Sequence, residues 1–327
     1  MAGDKAEVLM IGQMAPMIID GIAQAFTLHR LWEAPDKELL IAELAPRLKA
    51  MAAGGPVHDP VDGAFMAKFP RLEMVSSFGV GYDHVDAKWA GEHGIVVTNT
   101  PEVLNEEVAD TALGLLLCTV RELPQAERYL RAGNWLNEDY RLTASLRGRK
   151  AGIVGLGRIG KTIARRLEAF GLPISYYGRH QQAGVPYRYY PNLVDMARDV
   201  DILVVITPGG AATKNLIDAK VLDALGPNGI LINVSRGTVV DQDALIAALK
   251  AGKILSAGLD VYVGEPRVPQ ELIELDNVVL LPHVGSASVH TRNAMGQLVI
   301  DNLLAWAGGK KPLTPVPETP WPPKRKA

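Results

Sequence analysis

A chain of 327 residues is too long for one small domain and too short for three ordinary ones, so two domains are expected. Hydrophobic residues make up 48% and charged residues 21%, which excludes bulk disorder and leaves apolar material for two cores. A net charge of −2 and a lone cysteine, Cys118, exclude a general nucleic-acid binder, a disulfide scaffold and a cysteine-cluster zinc site, and they suit the reducing cytoplasm.

The chain opens Met1-Ala-Gly-Asp-Lys-Ala-Glu and runs straight into an apolar strand, without the regions of a signal peptide. Strands are predicted at 8–11 and 28–32, helices at 17–26 and 36–51, and further strands at 72–76 and 96–98. A helix over 102–120 is apolar on most sides and is expected to be buried. Its apolar stretch, around 112–120, is about half a membrane span and ends at Arg121, so no membrane contact is expected. A polar connector follows. A second strand–helix series then starts at Ala151, with near-continuous apolar runs at 151–154, 174–177, 202–206, 230–234, 255–259 and 278–281, as strands covered on both faces require. A helix at 289–306 leads to a tail with Pro312, Pro315, Pro317, Pro320, Pro322 and Pro323, expected to be extended or disordered. The closing Lys-Arg-Lys-Ala of 324–327 reads as a solvated terminus rather than a recognition tag. The alternation of elements implies α/β architecture with mostly parallel sheets.

The run Gly155-Leu-Gly157-Arg158-Ile159-Gly160 lies between the strand at 151–154 and a helix at 158–170. That context turns a weak motif into a strong dinucleotide signal. Gly155 permits the tight turn, Gly157 lets the backbone approach a pyrophosphate, and Gly160 allows helix–strand packing. After the next strand, where an NAD site usually carries an acidic residue for the ribose 2′-hydroxyl, the chain has Gly178-Arg179-His180. No carboxylate is there to repel a 2′-phosphate, and Arg179 can pair with it, so NADP(H) is expected over NAD(H). The plainer reading is that Arg179 is a solvated loop arginine.

Ligands of open α/β sheets bind beyond the carboxyl ends of the strands. Those ends here carry Thr207, Arg236, Asp260, Glu265 and His283. An anion anchor, a histidine acid and a carboxylate beside it are what reduction of a keto acid requires. Singly, Arg236 reads equally as a helix cap, His283 as a core histidine and Glu265 as a turn acceptor. Their convergence beside a dinucleotide turn favours the chemical reading.

These residues belong to a wider set of landmarks: Phe78-Gly-Val-Gly-Tyr-Asp-His-Val-Asp86, Thr98-Asn-Thr-Pro101, Ile232-Asn-Val-Ser-Arg-Gly237, Gly258-Leu-Asp-Val-Tyr262, Glu265-Pro266 and Leu281-Pro-His-Val-Gly285. With them the chain resembles the D-2-hydroxyacid dehydrogenase family over nearly its whole length. Within that family it looks most like the NADPH-dependent glyoxylate/hydroxypyruvate reductases, and plant hydroxyphenylpyruvate reductases look close. The resemblance implies a Rossmann-type doubly wound parallel sheet at 100–286, binding the cofactor. It also implies a flavodoxin-like α/β substrate domain made of 1–99 and 287–327, with the active site in the cleft between.

By the same resemblance His283 donates a proton to the keto oxygen as hydride reaches C2. Glu265 hydrogen-bonds the other ring nitrogen, and Arg236 binds the substrate carboxylate and keto oxygen. The amides of Val80 and Gly81 cradle that carboxylate. Gly155, Gly157, Arg158, Ile159, Gly160, Arg179, Thr207, Thr213, Val234, Ser235, Asp260 and Ser286 bind the cofactor. The segment 102–147 resembles a dimerisation arm, which implies a homodimer. The chain departs from the family at Pro208-Gly-Gly-Ala-Ala-Thr213, where two glycines are expected to loosen the loop and weaken the assignment of Thr207 and Thr213. The implied reaction is NADPH-dependent reduction of glyoxylate and hydroxypyruvate to D-2-hydroxy acids, with no metal. The alternatives are the same chemistry on phenylpyruvate, hydroxyphenylpyruvate or 2-ketogluconate, or a dinucleotide-sensing corepressor.

Overall fold

The computed structural model describes residues 5–54 and 60–323. It divides into two compact units, Met1–Leu104 with Ser288–Ala327, and Asn105–Ala287.

The first unit is built on five parallel strands: β1 (Glu7–Met10), β2 (Thr27–Arg30), β3 (Ala50–Ala53), β4 (Met74–Ser77) and β5 (Val96–Thr98), in the order β2-β1-β3-β4-β5. That is the flavodoxin-like order. The crossover helices are started by local chemistry. Pro16 opens Pro16–Ala25, and the carboxylates of Asp36, Asp62 and Asp86 accept the third amide beyond them to cap the helices at Lys37–Leu44, Gly63–Ala67 and Ala87–Glu92. The expected helix at 36–51 is corrected. It stops at Leu44, because Pro46 cannot continue it, and Ala50–Ala53 forms a wholly buried strand between β1 and β4. Alanine and methionine favour helices in isolation, and burial at the sheet centre overrides that preference.

The proline-rich tail is also corrected in part. Among the described residues it is extended and packed against β5, with Val316 and Thr319 buried. The Val316 amide donates to the Val97 carbonyl. The Thr319 hydroxyl accepts from the Val97 amide (2.9 Å) and lies 3.1 Å from its carbonyl. Thr314 reaches the Asn99 carbonyl at 2.6 Å. The tail thus covers the polar edge that β5 would otherwise present. The basic residues at 324–327 lie outside the described residues.

The second unit holds seven parallel strands: β6 (Ala151–Val154), β7 (Ile174–Tyr177), β8 (Arg188–Tyr190), β9 (Ile202–Val205), β10 (Ile230–Asn233), β11 (Ser256–Leu259) and β12 (Val278–Leu280). Their order is β12-β11-β10-β9-β6-β7-β8, the Rossmann arrangement extended by one strand. The chain reverses direction of travel beside β6, which puts the switch point at the carboxyl end of β6, next to β9. Strands β6, β9, β10 and β11 are buried throughout, consistent with cover on both faces. Helix Asn105–Val120 buries Val108, Leu113, Leu115, Leu116 and Val120, each worth roughly 1.5–3 kcal/mol relative to exposure. Two elements were not legible beforehand. Strand β8 is a three-residue edge, and helix Leu123–Arg131 buries no residue and so reads as a polar connector. No described helix is long and apolar enough to cross a membrane.

Candidate active site

Three glycines at the end of β6 are required for three different reasons. Gly155 has φ +103°, and a Cβ there would sit 3.0 Å from the Ile206 carbonyl oxygen. At Gly160 a Cβ would lie 2.2 Å from the Gly155 carbonyl oxygen, so helix Arg158–Ala169 approaches the turn as closely as it does only without a side chain. Gly157 meets nothing within 4 Å, and the space above its backbone is open. It is also the N-cap of the helix and supplies no side-chain acceptor, so the first-turn amides beside exposed Arg158 and half-buried Ile159 have no side-chain cap. Open space over a row of amides at the positive end of a helix dipole is a donor set for a diphosphate. The residues present therefore fit a dinucleotide.

Arg179 is exposed, two positions beyond the end of β7, which pairs with β6. Gly178, Arg179 and His180 follow that strand, with no carboxylate among them.

Beyond the carboxyl ends of β10, β11 and β12, three neighbours in the sheet, the second unit gathers Arg236, Asp260, Glu265 and His283. The His283 Nδ1–H donates to Glu265 Oε2 at 2.7 Å, and the other Glu265 oxygen accepts the Tyr262 amide at 2.8 Å. Burial pushes the Glu265 carboxyl up. The His283 hydrogen bond, the Tyr262 amide and the charges of His283 and Arg236 outweigh it and hold the carboxyl below its ordinary range. His283 adopts φ +55°, a conformation few non-glycine residues take. Asp260, 1% exposed, holds it there. Its carbonyl accepts the His283 amide, and its two carboxylate oxygens accept the amides of Val284 (2.7 Å) and Gly285 (2.8 Å). Burial pushes the Asp260 carboxyl up despite those two amides and the His283 charge.

The Arg236 loop is fixed from beneath by buried Asn233. Its amide donates to the Arg236 carbonyl, and its oxygen accepts from the amide and hydroxyl of Ser235. Next to it, a Cβ on Gly237 would fall 1.9 Å from the Tyr262 carbonyl carbon, so the Arg236 loop and the loop leading to Glu265 press backbone to backbone. The clamp formed by Asp260, and the supports Asn233 and Tyr262, were not foreseen as such. The only sequence signal was a polar residue at each strand end.

Of the remaining expected residues, Val234 and Ser235 are buried at the end of β10, and Ser286 is half-buried three positions after His283. Thr207 is half-buried after β9. The Thr213 hydroxyl donates to the Pro208 carbonyl at 2.7 Å, and Gly210 takes φ +119°. The two glycines therefore serve a tied turn, where loosening was expected. Val80 and Gly81 belong to the first unit. Their loop is pinned by Asn99, which donates to the Val80 carbonyl at 2.8 Å, and by Thr100, whose hydroxyl accepts the Gly79 amide at 3.1 Å. Among the described residues no backbone acceptor meets the Val80 or Gly81 amide.

Residues 113–285 match the family model described as D-isomer specific 2-hydroxyacid dehydrogenase, NAD binding domain. A glyoxylate/hydroxypyruvate reductase of Arabidopsis thaliana is 47% identical over 94% of this chain and 98% of its own length. A hydroxyphenylpyruvate reductase of Plectranthus scutellarioides is 44% identical over the same shares. The crystal structure of an NADPH-dependent glyoxylate/hydroxypyruvate reductase from Sinorhizobium meliloti, in complex with NADP and malonate, superposes with a TM-score of 0.92. It is 51% identical, covering 99% of this chain and 100% of that one.

Proposed function

Because the chain belongs to the D-isomer-specific 2-hydroxyacid dehydrogenase family, we propose that it reduces small 2-keto acids, glyoxylate and hydroxypyruvate, to D-2-hydroxy acids with NADPH. The observation that carries this reading is the His283–Glu265 pair at 2.7 Å, set beyond the same sheet ends as Arg236 in a unit whose glycine turn fits a dinucleotide. Bound NADPH would supply the hydride that reduces the keto carbon. His283, with Nδ1 held by Glu265, delivers its proton to the keto oxygen through Nε2. Arg236 holds the substrate carboxylate and polarises the carbonyl, and the amides of Val80 and Gly81 offer a further cradle for the carboxylate. Gly155, Gly157, Arg158, Ile159 and Gly160 hold the diphosphate, and Arg179 the 2′-phosphate. Thr207, Thr213, Val234, Ser235, Asp260 and Ser286 complete the cofactor site. In this reading the unit 105–287 is the cofactor domain, and the unit of 1–104 and 288–327 the substrate domain.

The protein works as a homodimer in the cytoplasm. Support for the dimer comes from exposed Leu123, Leu130, Trp135, Leu136 and Leu142, a concentration of apolar surface that suits a second copy. The deciding assay is NADPH oxidation, with NADH controls, across glyoxylate, hydroxypyruvate, phenylpyruvate, hydroxyphenylpyruvate and 2-ketogluconate. The expected result is a higher kcat/KM for the two small acids with NADPH. A preference for an aryl or sugar acid would move the substrate and keep the mechanism. Silence on all five would refute the reductase reading and favour a dinucleotide-sensing binding protein.

A further inference from the structure

The loop that carries Arg179 is tied at both of its ends. On one side the Tyr189 hydroxyl donates to the Gly178 carbonyl at 3.2 Å. On the other, the Gln182 amide donates to the Tyr176 hydroxyl at 2.8 Å, and the Gln182 side-chain amide donates to the Leu156 carbonyl at 2.8 Å. Leu156 is the residue between Gly155 and Gly157, so Gln182 fastens this loop directly to the glycine turn. The two tyrosines are themselves a matched pair. Tyr176 on β7 is the register partner of Tyr189 on β8, their ring centroids are 5.3 Å apart, and the Tyr176 ring is buried in the unit's core. Strands β7 and β8 therefore supply two hydroxyls, one as donor and one as acceptor, at the two flanks of Arg179 and His180.

We propose that Tyr176, Tyr189 and Gln182 are positioning residues that set the preference for NADPH over NADH, a claim that rests on the NADPH reading above. An exposed arginine on a free loop must give up backbone and side-chain freedom to grip a phosphate. Here hydrogen bonds within the unit hold the backbone on both sides of Arg179, so less freedom is lost on binding and the affinity that Arg179 gains is correspondingly larger. The Leu156 tie adds register. It fixes the height of the 2′-phosphate loop relative to the diphosphate turn, and the two phosphate sites of NADP(H) must be held at one fixed spacing.

The test is binding of NADP+ and NAD+ to the full-length protein, measured by calorimetry, for wild type, Tyr176→Phe, Gln182→Ala and Arg179→Ala. Tyr176→Phe keeps the ring and removes only the acceptor, and Gln182→Ala trims a half-buried side chain outside the core, so at least one of the two folds as wild type does. Each of these two variants is expected to raise the Kd for NADP+ by about fivefold, the weight of one net hydrogen bond, with NAD+ changed by less than about twofold. Equal losses for both dinucleotides, or none for either, would overturn the proposal, since the strap would then be general scaffolding or inert. A wild-type protein that binds the two dinucleotides equally would overturn the NADPH reading itself. If Arg179→Ala abolishes the preference and both strap variants retain it, the NADPH reading stands and the strap proposal alone falls.

Discussion

In the reading proposed above His283 is the proton donor, and its two acidic neighbours do different work. Glu265 grips its ring, and Asp260, one residue beyond β11, grips the backbone that bends the ring into place. Replacing His283 by alanine removes the donor and leaves the glycine turn untouched. That variant is expected to lower kcat for keto-acid reduction by about 10²–10⁴-fold while NADP+ binding changes by less than about twofold. Turnover within tenfold of wild type would remove His283 from the acid role. The carboxylates also leave a mark on stability. Glu265 has a folded pKa below its unfolded one, so its ionisation stabilises the fold above the ordinary carboxylate range, and that stability is lost as pH falls through the lowered value. Asp260 has a raised value and acts in the opposite sense: ionising it costs stability at neutral pH, and the cost is relieved on acidification. Glu265→Gln isolates the first contribution. The gap in Tm between wild type and this variant should therefore be widest near pH 7 and shrink toward pH 4. A gap that is independent of pH would show that the charge on Glu265 contributes nothing.

At the scale of elements the glycine turn gives a sharper contrast than any single side chain. Gly157 faces open space, and a methyl group there would enter the place proposed for the diphosphate without disturbing the fold. Gly160 has the Gly155 carbonyl where its Cβ would go. Gly157→Ala should leave Tm within about 2 °C and weaken NADP+ binding by tenfold or more. Gly160→Ala should lower Tm by about 5 °C, the effect of overpacking a closed contact. If both variants lost stability alike, Gly157 would be a packing residue and not part of a ligand site. The same turn explains what was legible in the sequence. Strands β6, β7 and β5 were read with their observed bounds because apolar runs were closed off by glycine or proline, and the strand–glycine–helix order fixed the cofactor unit. Strand β3 was lost because an alanine–methionine run has no periodicity of its own, and only its neighbours β1 and β4 make it a strand. The Asp260 clamp was equally hidden, since a bond from a carboxylate to amides 24 and 25 residues away has no local signature.

The whole molecule repeats one design twice, two parallel sheets of which the first is closed along β5 by the returning C-terminal tail. A run of exposed apolar residues lies between helix Leu123–Arg131 and Leu142. Trp135, Leu136 and Leu142 are exposed there, the last two at 90% and 100%. The stretch is nevertheless well tied: Glu122 accepts from the Tyr140 hydroxyl at 2.9 Å and from Arg141 at 2.8 Å, and Tyr129 and Tyr140 meet edge to face. A segment that is internally tied yet apolar outside offers a surface to a partner, and in the homodimer proposed above a second copy covers it. Sedimentation velocity should therefore give close to twice the chain mass of 35.2 kDa at micromolar concentration. Leu136→Asp combined with Leu142→Asp places two charges where the partner's apolar surface must dehydrate, and it should shift the protein to monomer while the glycine turn, and with it NADP+ binding, is retained. A wild-type monomer, or a double variant that stays dimeric, would assign this apolar stretch to something other than self-association.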